Sequence, residues 1–354
     1  MHLSDPLGPR SLRRIVRDVG GVHAQVTSAG ELQCAVRAPG LAPGATDRGL
    51  VRRALVKTWA MRGTLHLIDA GDMALFAAAS RTRRHWRRPV WERAFKIKVA
   101  EVEAAIDAIA DALDGECLTR VELADRVYER MHDDAIDARL RSGWGELLKI
   151  VAAHGRLCFG PLRGRNVTFV RPDQWVEGWR DLDPDESIKE VCRRYLASHG
   201  PATREEFARW WGFFPPDARR VLEGLGDEVV QVDRSGDRAF LMKRDLKVLR
   251  RAAEDSAIRV LGMFDPYTLA GLPHDEVVPK ARKDEVYRKG AWVSQVVLRG
   301  GRVAGTWIHE NKSKSTAVEV RAFGKLTKRE KDEATQRLAA LAPFVGDAQR
   351  IRFT

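Results

Sequence analysis

Thr119-Arg120-Val121-Glu122-Leu123-Ala124 recurs farther along the chain as Thr203-Arg204-Glu205-Glu206-Phe207-Ala208. In each copy the Thr can N-cap a helix, and the acid three residues on can accept from the cap's own N–H, the arrangement of a capping box. A second helix of apolar period follows in both cases, at 142–153 after the first copy and 216–225 after the second. A hairpin pattern then closes each copy. The first has strands at 156–159 and 167–170 around a turn at 160–166, and the second has strands at 228–232 and 238–242 around a turn at 233–237. Gly, Asn and Asp in these turns supply the positive-φ positions that a hairpin needs. Helix, short helix, second helix, hairpin is the order of a winged helix, a helix-turn-helix variant carrying a β wing. The competing reading is a generic α+β domain with an accidental six-residue match, and two copies in the same order weigh against it.

Working outward, the first hundred residues predict a further unit of this kind. Helices are expected at 12–19, from a cap at Asp47 through 58, at 69–79 and at 100–113, with an extended stretch at 59–67. Beyond residue 256 the pattern turns to strands, at 258–264, 291–298, 302–308 and 316–322, with Gly300-Gly301 as a hairpin turn. Thr327 caps a last helix to about 341. The fold class is therefore α+β: tandem winged-helix units over 1–114, 115–182 and 183–255, then a small C-terminal β-sheet or barrel domain over 256–354. Residues 273–289 form a connection rich in Lys and Arg, placed to contact phosphate or to move.

Of 354 residues 44% are hydrophobic, which supports a packed core. Lys plus Arg number 61 against 49 Asp plus Glu, and the formal net charge of +12 favours a polyanionic partner, nucleic acid foremost. Cys34, Cys117, Cys158 and Cys192 lack metal-ligand spacing and read as small apolar groups in a reducing compartment. Neither a signal peptide nor a run of roughly 20 apolar residues is present, so a cytoplasmic protein is expected, with no membrane partner. No GxxxxGK[ST] occurs, and no GxGxxG opens a helix after a strand, so neither a nucleotide cofactor nor a metal is expected. Asp72, Asp265 and Glu319 stand without a visible partner and receive no catalytic role.

Around Gly21-Val22-His23-Ala24-Gln25, the apolar Val22, Ala24 and Val26 alternate with His23, Gln25 and Thr27. An extended segment would put the three polar side chains on one face, whereas a helix continuing from Val19 would point His23 and Gln25 apart. The basic run Arg81-Thr82-Arg83-Arg84-His85-Trp86-Arg87-Arg88, interleaved with Trp86 and near Trp91, and Arg163-Gly164-Arg165 at the tip of the first wing suit contact with a DNA backbone. Either may instead be a solvated basic face. Trp210-Trp211 reads as core.

Three stretches together resemble the winged-helix DNA glycosylases of the AlkZ and YcaQ type. Gly21-Val22-His23-Ala24-Gln25 looks like that family's Gln-apolar-Gln catalytic motif. Trp59-Ala60-Met61-Arg62-Gly63-Thr64-Leu65-His66 is similar to its Arg-Gly-Thr-Leu-His segment. Phe264-Asp265-Pro266-Tyr267, Trp292 and Gly301-Arg302-Val303-Ala304-Gly305-Thr306-Trp307 resemble its C-terminal domain. The resemblance implies three winged helices and a β domain around a basic channel, a monomer, and excision of bulky N7-guanine adducts or interstrand crosslinks from double-stranded DNA. The family role passes to Gln25 residue for residue. His23 stands where the family has its first Gln, so its role is conditional. In that chemistry Gln25 orients a water and His23 serves as base or second orienter. Arg62, His66, Arg83, Arg84, Arg87, Arg88, Arg163 and Arg165 are the candidate DNA contacts. No Lys stands ready for Schiff-base chemistry, so monofunctional excision is expected. A non-catalytic winged-helix binder (a lesion binder or transcription regulator) is the alternative, and a protein-interaction scaffold a remote third.

Overall fold

The computed structural model describes residues 1–143, 145–270, 275–312, 315–346 and 348–354. Pro273 and His274, the first two residues of the anticipated basic connection, and Trp144, within the helix expected at 142–153, lie outside them. Among the described residues no helix is long and apolar enough to cross a membrane. The protein is α+β and divides into two compact units, one of Met1–Thr46, Tyr195–Glu206 and Asp227–Thr354, the other of Asp47–Arg194 and Phe207–Gly226. These units follow compactness and not the four segments anticipated from sequence, which return below as a proposal.

In the second unit, strands Leu55–Trp59 and Leu65–Asp69 pair antiparallel across a short 3-10 turn at Met61–Gly63, where Arg62 and Gly63 both take positive φ. The helix expected from Asp47 through 58 is corrected here: it stops at Val51, and the chain re-forms as a strand after Arg53, itself at φ +54. Val56, Thr58 and Trp59 suit the pleated surface, and tertiary burial of Leu55, Val56 and Trp59 decides the matter. The first repeat follows. Thr119 Oγ1 accepts from the Glu122 N–H and the Glu122 carboxylate accepts from the Thr119 N–H at 2.8 Å, opening the helix Arg120–Met131. Asp133 caps Asp134–Arg141 through two backbone N–H groups, and Glu146–Ala153 comes next. Strands Cys158–Phe159 and Thr168–Val170 then form the hairpin, with Leu118–Thr119 on the other side of Thr168–Val170. Val102, Ile109, Leu123, Val127, Leu148, Val151 and Phe169 make the core that these elements share.

In the first unit, the second hairpin, Val229–Arg234 with Asp237–Met242, turns through Ser235 and Gly236, both at positive φ. That is the two-residue loop whose twist matches its strands. Thr203 and Glu206 exchange the same capping-box bonds as the first copy. A five-stranded sheet runs in the order Ala348–Phe353, Ser315–Ala322, Arg302–Lys312, Val296–Arg299, Ile258–Leu261. Gly300-Gly301 forms the anticipated turn, again at positive φ throughout. The strand Ala348–Phe353 was not anticipated. It pairs parallel to Ser315–Ala322, and the helix Lys328–Ala340, capped by Thr327 and Glu330, supplies the crossover that parallel pairing requires.

Candidate functional site

The motif enters through Gly20 and Gly21, at φ +75 and +96, and is extended for only two residues, Val22–His23. The chain then bends at Gln25 and Val26 and starts the helix Thr27–Arg37. The single polar face expected of an extended 23–27 segment is therefore not formed. His23 is buried at 5% exposure, while Gln25 is exposed in the bend.

What holds His23 comes from the buried face of the following helix. Gln33, with no exposed surface, accepts from the His23 N–H through Oε1 at 3.2 Å. Its Nε2 donates to the His23 carbonyl at 3.1 Å and to the Met263 carbonyl at 3.2 Å. One amide thus ties the motif strand to the segment that begins the C-terminal β region. One helical turn on, Arg37 forms a bidentate pair with Asp265, Nη1 to Oδ2 and Nη2 to Oδ1, both at 2.8 Å and both side chains fully buried. Arg37 also donates to the Gln33 and Met1 carbonyls. Asp265 accepts from the Tyr267 N–H as well, so it is far from the isolated acid that sequence suggested. Asp72 and Glu319 are partnered too, by Arg194 at 2.8 Å and by the Thr354 hydroxyl.

Between these two anchors Phe264 takes φ +56, a conformation L side chains rarely adopt, and lays its ring on the His23 imidazole with centroids 4.5 Å apart and 24° between planes. Trp292 meets Phe264 edge-on at 5.0 Å. Residues from both ends of the chain, two of the three stretches quoted above, therefore converge on one aromatic stack. Gln33 and Arg37 were missed in sequence, although the signal was present: two polar residues at i and i+4 on a helix face otherwise filled by Ala29, Leu32 and Cys34. Burial pushes the neighbouring Cys34 thiol up to about 12 and leaves it a packing group.

The arginine candidates separate by burial. Arg83 is buried and donates to the carbonyls of Ala60 at 2.7 Å and Trp211 at 3.3 Å, and to Ser80 Oγ. Desolvation pulls its guanidinium down to about 10. These bonds commit it to the framework and set it apart from its neighbours. Arg84, Arg87 and Arg88 are exposed, with Arg87 paired to Glu103 and Arg88 lying over the Phe214 ring. Arg62 donates to the Trp210 carbonyl, and His66 is buried with Nδ1 2.9 Å from the Thr64 carbonyl. In the first hairpin Arg163 is exposed but bonded to Glu122 and the Cys117 carbonyl, while Arg165 is exposed. Trp210 and Trp211 are core, as expected. Among the described residues no group of His, Cys, Asp or Glu is arranged to hold a metal.

A family model described as DNA glycosylase AlkZ-like matches residues 16–344. The chain is 37% identical over 309 residues to an interstrand DNA cross-link repair glycosylase of Streptomyces sahachiroi, covering 86% of this chain and 83% of the relative. The solved structure of Streptomyces sahachiroi DNA glycosylase AlkZ superposes with a TM-score of 0.91 at 33% identity, covering 100% of this chain and 96% of that one.

Proposed function

Because the chain belongs to the AlkZ-like DNA glycosylase family, we propose that it excises alkylated bases, N7-alkylguanine foremost, from double-stranded DNA and unhooks interstrand crosslinks by the same reaction. The observation that carries the reading is the exposed Gln25 set two residues after a His23 that is clamped at its backbone and stacked at its ring. An N7-alkylated purine is already a cationic leaving group, so the bond from base to deoxyribose breaks through an oxocarbenium-like state with little need of a general acid. The demand is for a placed water. Gln25 orients it, accepting through its side-chain oxygen and donating through its nitrogen. His23, turned inward and stacked on Phe264, does not share Gln25's face, so its part is that of second orienter, through the motif it holds in place. The water oxygen bonds to C1′ and keeps one hydrogen, the base departs with the electron pair of the glycosidic bond, and the water's other proton passes to solvent. With no Schiff-base lysine, the reaction ends at the abasic site.

In this reading residues 1–114, 115–182 and 183–255 are tandem winged helices and 256–354 the C-terminal β domain, and the protein acts as a cytoplasmic monomer without cofactor. Arg84, Arg87 and Arg88, with Arg163 and Arg165 on the wing, meet phosphates. Arg62 and His66 are the further DNA contacts of this reading, and Arg83 holds the basic run in place.

The test is base release from a duplex carrying N7-alkylguanine, comparing wild type with Gln25→Ala and His23→Ala. Release should fall about a hundredfold or more in the Gln25 variant, with duplex affinity kept. Tight, salt-sensitive binding with no release from several N7 adducts would instead favour the non-catalytic binder.

A further inference from the structure

Trp292 is an exposed tryptophan that is nonetheless rigidly placed. It keeps 39% of its surface accessible, yet its ring packs against Phe264 and its strand, Trp292–Val293, pairs with Tyr287–Arg288. The stack His23–Phe264–Trp292 therefore runs from the buried motif histidine to the surface. Two open cavities of the same unit, of ≈ 630 and ≈ 460 Å³, are both lined by Trp292, Asp284 and Arg288, and Lys289 also lines the first. The smaller also reaches Met263, whose carbonyl shares the Gln33 amide with His23. Volumes of this size belong to sites for small organic groups, about 300–1,000 Å³, and far exceed what a methyl substituent needs. A large aromatic face left open to water is costly unless something covers it.

We infer that Trp292 and the cavities beside it form a subsite for the aromatic or extended apolar appendage of an N7-alkylated guanine, and so set the preference for bulky over small adducts. The inference rests on the glycosylase reading. Its chemistry is that of the adduct: the appendage offers a flat surface to stack on the Trp292 ring, and such stacking does not depend on the opposite charges, Asp284 and Arg288, that line both cavities. Phe264 links this surface to His23, so an appendage seated on Trp292 would help to register its own base at the motif.

The experiment compares one duplex sequence carrying either N7-methylguanine or N7-(naphthylmethyl)guanine, with wild type, Trp292→Ala and Trp292→Phe. The readouts are single-turnover kcat/KM for base release and duplex affinity. The ratio of bulky to methyl adduct should fall about tenfold in Trp292→Ala, the size of one lost aromatic stack, and return toward wild type in Trp292→Phe. An unchanged ratio, or equal losses on the two lesions, overturns the subsite. Release of neither base by wild type overturns the glycosylase reading instead, and the ratio of affinities for the two duplexes then decides the subsite on its own.

Discussion

Replacing Asp265 with Asn removes one charge from a pair that has no exposed surface on either side. Arg37 would keep its bonds to the Gln33 and Met1 carbonyls, but one of its two acceptor oxygens would become an NH2 set against a guanidinium N–H, and it would stay buried as an uncompensated cation. Breaking a buried pair from one side costs about 3–5 kcal/mol, most of it the stranded charge and not the worth of the pair. Arg37→Met carries a similar loss, because Asp265 keeps only the Tyr267 N–H as donor. The double variant removes both charges, so its loss should be smaller than the sum of the singles by more than about 2 kcal/mol, a coupling of the size measured for groups in direct contact. Equilibrium urea unfolding of the four proteins gives the cycle, provided the m-values agree. An Asp265→Asn loss below about 1 kcal/mol, or additivity within 0.5 kcal/mol, would refute the view that this pair anchors the segment carrying Phe264.

Gln33→Leu removes the side-chain bonds to the His23 N–H and to the His23 and Met263 carbonyls, and should lower stability by about 2–4 kcal/mol in urea unfolding, with excision falling even at temperatures where the variant is fully folded. Arg84→Gln, Arg88→Gln and Arg165→Gln should each lower the slope of log affinity against log salt by nearly one without changing the melting temperature, whereas Arg83→Gln should lower the melting temperature. Glu122 and Glu330 accept backbone N–H bonds from Thr119 and Thr327, which hold their carboxyls below the usual carboxylate range. A depressed folded value means that the stabilisation is present above the unfolded value of about 4.3 and is lost as pH falls through the folded one. Melting curves of Glu122→Gln and Glu330→Gln should therefore converge on wild type once pH falls below the depressed folded values and diverge above about pH 5.

The two Thr-x-x-Glu boxes of the repeat and the cap at Thr327 were legible in sequence because capping chemistry is local: every partner lies within three residues. The turns at Ser235-Gly236 and Gly300-Gly301 were legible for the same reason, since positive φ selects its residues directly. The elements misread were those decided at a distance. The stretch after Val51 satisfies a helical period on paper, but burial of Leu55, Val56 and Trp59 makes it a strand. The strand Ala348–Phe353 is an edge whose pairing depends on the crossover helix before it. Neither outcome can be reached by reading a window of ten residues.

The candidate site shows the same division within a single motif. Alternation across residues 22–27 suggested that His23 and Gln25 act side by side, and an extended chain would have put them so. Instead the glycines before the motif and the helix after it leave room for two extended residues, which turns His23 inward and Gln25 outward. The inward residue then needs partners, and those lie some 230 residues away, at Met263 and Phe264. A fully buried glutamine with all three of its polar bonds made to backbone has no packing advantage over leucine, and burying an amide is favourable only while each bond is kept. Its presence on the helix face therefore makes sense through what it holds in register: the strand that positions His23 and the segment that carries the ring stacked on it. The fold was readable from periodicity and caps, but the site is a long-range contract between a helix face and a distant loop, visible in sequence only as two polar residues where apolar ones were due.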